Sequence, residues 1–264
     1  MVIRVQIYVK LSNFGIRHCG LINIHQNNAA MNIIVTGAAG GIGYEVVKVL
    51  ARHRQNHVVA ISRNGRILNE LADECKRLHL DGKVTPYEFD LEQFEFYPFI
   101  AQRLETFIHS CDILVNNAGR LLNKPFSQFE PEDFDETFNV NVKSPFFLVR
   151  ALLPVMSRGS HVVNVSSMGG IQGSKKFPGL AAYSASKGAL AILSEVLAEE
   201  LADLEIRVNC LAIGAVQTPM FQKAFPGAKA LQNPAQMGHY IADFAVNGAK
   251  YFNGKVIPVS LSTP

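Results

Sequence analysis

The sequence contains no CxxC pair, no histidine–cysteine group at metal-ligand spacing, and no internal repeat or low-complexity tract. Its four cysteines, Cys19, Cys75, Cys111 and Cys210, are widely scattered. That fits reduced thiols in a cytosol-like compartment, so a cytoplasmic protein is expected. His53 and His57 have an i, i+4 spacing that would suit a metal on a helix, but they bracket "RQN" at a helix-to-strand junction. With no third ligand they read as surface residues, and no metal is expected. No apolar run approaches the roughly 20 residues a membrane-spanning helix needs, so no membrane partner is expected. Charge is also missing as a signal. The net charge of +3 resides in Arg4, Lys10 and Arg17 of an acid-free leader, and the remaining chain is neutral. A neutral body offers no electrostatic footprint for nucleic acid.

What is present is apolar material. With 264 residues, 48% of them hydrophobic, the chain can bury one large core. Residues 1–30 stand apart from it. They have no sustained helical or strand period and end in an amide-rich stretch, after which a second methionine, Met31, opens "MNIIVTGAAGG". The leader lacks the Ser/Arg enrichment of a transit peptide and the compact apolar core of a secretory signal. Residues 1–30 are therefore expected to be a disordered or spurious extension, and residues 31–264 a single domain. The amino-terminal mass of natively expressed protein tests this; a mature chain starting at Met1 with a protease-protected leader would refute it.

From Met31 onward, β-branched runs alternate with helical stretches. The strand candidates are 32–37, 57–63, 84–90, 112–119, 161–167, 207–213 and 255–260. Between them lie patterns such as "GYEVVKVLARH", "RILNELADECKRL" and "ALAILSEVLAEELADL". Nearly continuous apolarity suits strands covered on both faces. Strands alternating with helices imply right-handed crossovers. The expected fold is α/β, a Rossmann-type doubly wound parallel sheet of seven strands with helices on both faces.

The first strand runs into "TGAAGGIG" and then a helix. Gly37 permits the tight turn, Gly41 lets backbone approach a pyrophosphate, and Gly43 allows close helix–strand packing. The helix start adds free N–H groups and a positive dipole end. A glycine cluster alone is weak evidence; the strand–turn–helix context makes it strong. The second strand ends Ser62-Arg63-Asn64, where a dinucleotide fold meets the adenosine ribose. An arginine there pairs with the 2′-phosphate of NADP, whereas NAD calls for a carboxylate. NADP(H) is the expected cofactor, with NAD(H) as the alternative; a merely solvated arginine is the bland explanation.

"AAYSASKGAL" (181–190) sets Tyr183 and Lys187 one helical turn apart, on one face. Singly each is an ordinary surface residue. Together with "NNAG" (116–119), "NVNVKS" around Asn141 and "NVSSMGG" around Ser167, the ordered set resembles the short-chain dehydrogenase/reductase family across 31–260. The resemblance implies Asn141, Ser167, Tyr183 and Lys187 as the catalytic group, with Ser166 the runner-up to Ser167. It further implies cofactor contacts at Gly37, Gly41, Ile42, Gly43, Arg63, Asp90, Leu91, Asn117, Ala118, Gly119, Gly214, Val216 and Thr218, and from Tyr183 and Lys187 themselves. A neighbouring ammonium, together with the positive ring of oxidised nicotinamide, is expected to lower the tyrosine's pKa and let it act as general acid toward a carbonyl.

Three departures from the family pattern stand out. Gly40 occupies a position where NADP-preferring relatives often carry a basic residue, Ile213 replaces the usual proline before Gly214, and the chain ends "VSLSTP" instead of a glycine-rich tail. Residues 219–234 correspond to the family's substrate lid, with Met220, Phe221 and Phe225 as an apolar cover. Lys175, Lys176 and Phe177 reach the rim in a slightly long loop before Tyr183. The resemblance implies NADP(H)-dependent reduction of a small-molecule carbonyl, such as a 3-oxoacyl thioester, a small ketone or a pterin. It also implies a homodimer or homotetramer packed through the helix after Tyr183. The alternatives are a cofactor-sensing regulator, which would commonly lack the tyrosine or lysine, and an elimination or epimerisation enzyme.

Overall fold

The computed structural model describes residues 30–261; the expectation for the leader and the last three residues of the tail lie outside them. The chain alternates β1 (Asn32–Thr36), α1 (Gly41–Leu50), β2 (His57–Ser62), α2 (Gly65–Arg77) and β3 (Lys83–Glu88). It then crosses back through α3 (Tyr97–Glu105) to β4 (Ile113–Asn116), α4 (Pro131–Phe138), α5 (Ser144–Leu152) and β5 (His161–Ser167). The last third holds α6 (Ala181–Glu200), β6 (Arg207–Ile213), α7 (Pro219–Ala224), α8 (Pro234–Asn247) and β7 (Val256–Val259). All seven strands pair in parallel in the order β3-β2-β1-β4-β5-β6-β7.

The apolar runs explain the two-sided burial. Successive side chains of a strand face opposite ways, and β1 divides accordingly. Ile33 and Val35 join one core with Val46, Leu50, Leu68, Leu71 and Ile241 from α1, α2 and α8. Ile34 joins the other with Ile100, Leu104, Leu148, Leu152 and Leu197 from α3, α5 and α6. Two prolines sit inside strands, Pro86 in β3 and Pro258 in β7. Both strands are sheet edges, where a missing N–H donor costs no ladder bond. Two strands are shorter than the sequence suggests. β3 stops at Glu88 and β4 at Asn116: the Asp90 carbonyl accepts from the Gln93 amide, and the Asn117 amide donates to the Val115 carbonyl and the Thr36 hydroxyl, so neither continues a strand ladder. On α6 the apolar stripe is wider than the core needs: Leu190 is buried, whereas Ile192 is 61% exposed.

One buried titratable group marks the far end of the sheet. His161 opens β5 with 2% exposure, bonded to the Ala245 carbonyl at 2.9 Å and to the Asn209 amide at 3.0 Å. Burial pulls its pKa from 6.5 down to about 4, so the folded protein holds it neutral. Between those values the unfolded chain binds the extra proton, so stability falls as pH drops through this window. The expected loss from this group approaches about 3 kcal/mol at the acid end. Denaturant titrations from pH 6.5 to 4 should show a shallower pH dependence in His161→Gln than in wild type. Parallel curves would show that the imidazole does not carry the effect.

Candidate active site

In an open parallel sheet, ligands bind beyond the carboxyl ends of the strands where the winding direction reverses. Here that point lies between β1 and β4. A cleft of about 470 Å³ opens there, walled by Gly37, Arg63, Asp90, Leu91, Ala118 and Gly119. A cavity of about 510 Å³ lies at the opposite end, beside Met31, Asp112, His161 and Arg207. It contains none of the expected site residues.

The glycine loop is held from both sides. Gly37 has φ of 68°, and a Cβ there would lie 2.8 Å from the Ala118 Cα, so only glycine fits turn and neighbour together. At Gly43 a Cβ would overlap the Gly37 carbonyl oxygen and the Asn117 amide. The Asn117 side chain donates to the Thr36 and Gly37 carbonyls at 3.0 and 3.4 Å. The Thr36 hydroxyl accepts from the Asn117 and Ala118 amides, both at 3.1 Å. Thr36 thus ties the glycine loop to "NNAG", and sequence reasoning had not singled it out; its one signal was a hydroxyl just before the loop. Ile42 is half-buried and packs on the core beneath the loop. No side chain caps α1, which leaves its first N–H groups for an anion. This bare helix start, with a loop that admits no Cβ at two positions, fits a dinucleotide pyrophosphate.

At the adenosine end Arg63 is exposed, its Nη1 4.0 Å from Glu92. Asp90 accepts from the Glu92 amide at 3.1 Å. Leu91 is buried, and its carbonyl accepts from the Tyr97 hydroxyl at 2.8 Å. Burial first, and then the Asp90 charge, hold the Glu92 carboxyl above its usual range. Gly40 has open space around it and an extended backbone, so nothing steric explains the absence of a side chain there.

None of the four catalytic candidates lines the cleft itself; Asn141 and Lys187 lie just behind its wall at Gly119. Asn141 lies in a single π turn, Asn139–Lys143, between α4 and α5. Its side chain grips the Arg120 backbone twice, accepting from the amide at 2.8 Å and donating to the carbonyl at 2.9 Å. It also donates to Ser186 of α6 at 2.9 Å. Asn141 therefore sits behind the cleft wall and couples "NNAG" to the helix bearing Tyr183. Lys187 is 4% exposed, with its ammonium about one van der Waals contact from where a Gly119 Cβ would stand. It donates to the Val165 carbonyl at 2.8 Å. Ser166 donates to the Lys187 carbonyl at 2.7 Å and is buried, so it faces α6 and not the cleft. Ser167, half-buried at the end of β5, is the serine that acts on the Tyr183 phenol, drawing its pKa down.

Electrostatics correct one expectation. Lys187 does not acidify Tyr183 here. Burial pushes the phenol above its ordinary pKa, and Ser167 pulls it part of the way back. The ammonium gives one of its three donors to Val165 and stands 5.9 Å from the Tyr183 ring centroid. Burial also lowers Lys187 to about 8. The result is a phenol that keeps its proton at neutral pH.

The last sequence candidates lie where the lid begins. Gly214 donates its amide to Val259 at 2.9 Å and packs on Ser260. Val216 is buried and bridges to Gln232. Neither lines the cleft. Thr218 caps α7 by accepting from Phe221 N at 3.1 Å, which leaves its own O–H free to donate. Its methyl would stand 3.3 Å from a Gly41 Cβ, so lid and glycine loop meet. Among the described residues no group of three or more His, Cys, Asp or Glu could hold a metal ion, and no helix is long and apolar enough to cross a membrane.

Known proteins share this arrangement. The chain is 32% identical to a 3-oxoacyl-[acyl-carrier-protein] reductase, FabG, of Thermotoga maritima, over 86% of its own length and 94% of the relative's. It is 36% identical to carbonyl reductase [NADPH] 2 of Sus scrofa, over 75% and 76% of the two chains. Among solved structures, the Pseudomonas aeruginosa RhlG/NADP active-site complex superposes with a TM-score of 0.77 at 26% identity, covering 88% of this chain and 95% of that one. A Beutenbergia cavernae structure with bound NADP gives 0.78 at 29%, covering 88% and 96%. The family model described as short chain dehydrogenase matches residues 31–229, from the first strand through the tyrosine and lysine to the lid. The chain belongs to the short chain dehydrogenase family of oxidoreductases.

Proposed function

We propose that the protein reduces a small-molecule carbonyl to a secondary alcohol with NADP(H). One observation carries the reading: Lys187 is buried against Gly119 in the cleft wall, one helical turn from Tyr183, and Ser167 is the side chain that favours the Tyr183 phenolate. The nicotinamide cofactor supplies the hydride. The protein's own part is to orient and to move a proton. Ser167 donates a hydrogen bond to the carbonyl oxygen as charge develops there. Tyr183, protonated at neutral pH, gives its hydroxyl proton to the same oxygen as a general acid. Lys187 holds the ribose beside Gly119, and Asn141 fixes the "NNAG" backbone along which the cofactor lies. Leu121, Leu122, Val140 and Met220 line the remaining end of the cleft and favour an apolar carbonyl such as a 3-oxoacyl thioester or small ketone. Two of the relatives named above are a 3-oxoacyl reductase and an NADPH carbonyl reductase, which supports the same reading.

The NADP preference rests on Arg63. Its guanidinium is exposed at the adenosine end, and its nearest carboxylate is 4.0 Å away, a weak contact that a phosphate displaces. Charge-assisted hydrogen bonds are worth about 1.5–3 kcal/mol, so Arg63→Ala should cut the NADPH-over-NADH ratio of kcat/KM by about tenfold or more. The assay follows cofactor absorbance with a panel of 3-oxoacyl thioesters, small ketones, quinones and pterins. An unchanged ratio would mean that Arg63 is merely solvated.

A further inference from the structure

We infer that Asn123 is the positioning residue that latches the lid, tying α7 to the loop that delivers Tyr183. This rests on the reading that the Leu121–Ala224 end of the cleft receives the carbonyl substrate. Three segments come together at that end. The residues after "NNAG" and α7 line it, and the loop from Ile171 to Leu180 that leads into α6 packs behind them through Gly179. Asn123 is where they meet.

The Asn123 side chain donates to the Ala224 carbonyl at 2.8 Å. Ala224 is the last residue of α7, so its carbonyl is one of those a helix end leaves without an intrahelical partner. The next residue, Lys124, donates its amide to the Gly179 carbonyl at 3.0 Å. Gly179 has φ of 86°, and a Cβ there would overlap the Asn123 side-chain oxygen. The Tyr183 loop thus presses on Asn123 from behind while Asn123 holds the lid in front. A second contact joins the same two segments, with Phe177 edge-on to Phe225 at 6.3 Å and Phe225 against Phe221 at 5.3 Å. Leu180 ends the loop, and its carbonyl accepts from Ser184 at 2.8 Å, so Gly179 lies one turn of chain from the tyrosine. A displacement of the lid is therefore felt at the proton donor.

The strength of the latch suits its task. Asn123 is exposed, so its bond competes with water and contributes only a factor of about five to ten to the closed state. A lid held that lightly opens in every turnover, and closing it excludes water from the reacting carbonyl.

Asn123→Ala should raise KM for the carbonyl substrate about five- to tenfold, with NADPH affinity changed by less than about twofold. Gly179→Ala should raise KM in the wild-type background and add little to it in Asn123→Ala, because both disable one contact. Its cost in melting temperature, from the left-handed backbone, should be the same in both backgrounds. A second readout needs no turnover. Lys223 and Lys229 are exposed on and beside α7, and trypsin should cut there several-fold faster in Asn123→Ala at an unchanged melting temperature. Equal cleavage rates would overturn the latch, and so would KM effects that simply add. If no carbonyl is turned over by wild type, the proposed function fails while faster cleavage still supports the latch.

Discussion

Tyr183→Phe should fold, bind NADPH and lose turnover by about 10²–10⁴-fold. Removing one hydroxyl leaves the ring that packs near the Lys187 ammonium, and Tyr183 is absent from the groups that hold α6 to the sheet. Those are Ser166 to the Lys187 carbonyl, Lys187 to the Val165 carbonyl, and Asn164 to Ser194, while Asn141 ties α6 to the turn before α5 through Ser186. The loss therefore belongs to the proton. Phe has none to give, and the Ser167 hydroxyl, whose oxygen accepts from the Gly169 amide at 3.2 Å, is a far weaker acid. At each tenfold per 1.36 kcal/mol, the expected effect is about 3–5 kcal/mol in the barrier. Steady-state NADPH oxidation beside a fluorescence titration of NADPH separates chemistry from binding. Turnover within a few-fold of wild type would remove Tyr183 from the mechanism. A wild-type protein that binds NADPH tightly but turns over nothing would favour a cofactor-sensing role.

Gly43→Ala should damage fold and cofactor site together. The added methyl meets the Gly37 carbonyl oxygen, which is backbone and cannot swing away, and the Asn117 amide that tethers Thr36 and Gly37. Either α1 moves off β1 or the tether breaks. Overpacking of this kind costs about 1–3 kcal/mol, and a displaced loop misaligns the N–H groups at the start of α1. We expect a lowered melting temperature and NADPH binding weakened by tenfold or more. Gly40→Ala is the matched control, since that position has open space and extended backbone and should leave both quantities unchanged. A Gly43→Ala protein that binds NADPH like wild type would show that the loop tolerates the shift.

The two substitutions also separate what could be read in one dimension from what could not. Periodicity and β-branching placed all seven strands, because strands buried on both faces must be apolar nearly throughout. The spacing of Gly37, Gly41 and Gly43 marked the tight turn after β1, because close backbone approach there forbids side chains at Gly37 and Gly43. The four-residue step from Tyr183 to Lys187 followed from helix geometry alone. All of these are local constraints, written within a few residues of chain.

Only the tertiary structure turned Ser166 onto α6, since alternation puts the hydroxyls of Ser166 and Ser167 on opposite faces of β5 and only packing says which face is α6. It also placed Thr36, Asn164 and Asn123, ordinary polar residues in the sequence, at junctions between segments up to 101 residues apart. It reversed the expected direction of the Tyr183 shift. Spacing brings an ammonium near a phenol, but burial of both groups and the partner the ammonium chooses are properties of the folded interior. The sequence determined which chemistry the chain carries; the packing of β4, β5, α6 and α7 decided which atoms face it, because desolvation and hydrogen-bond partners arise only when distant segments close on one another.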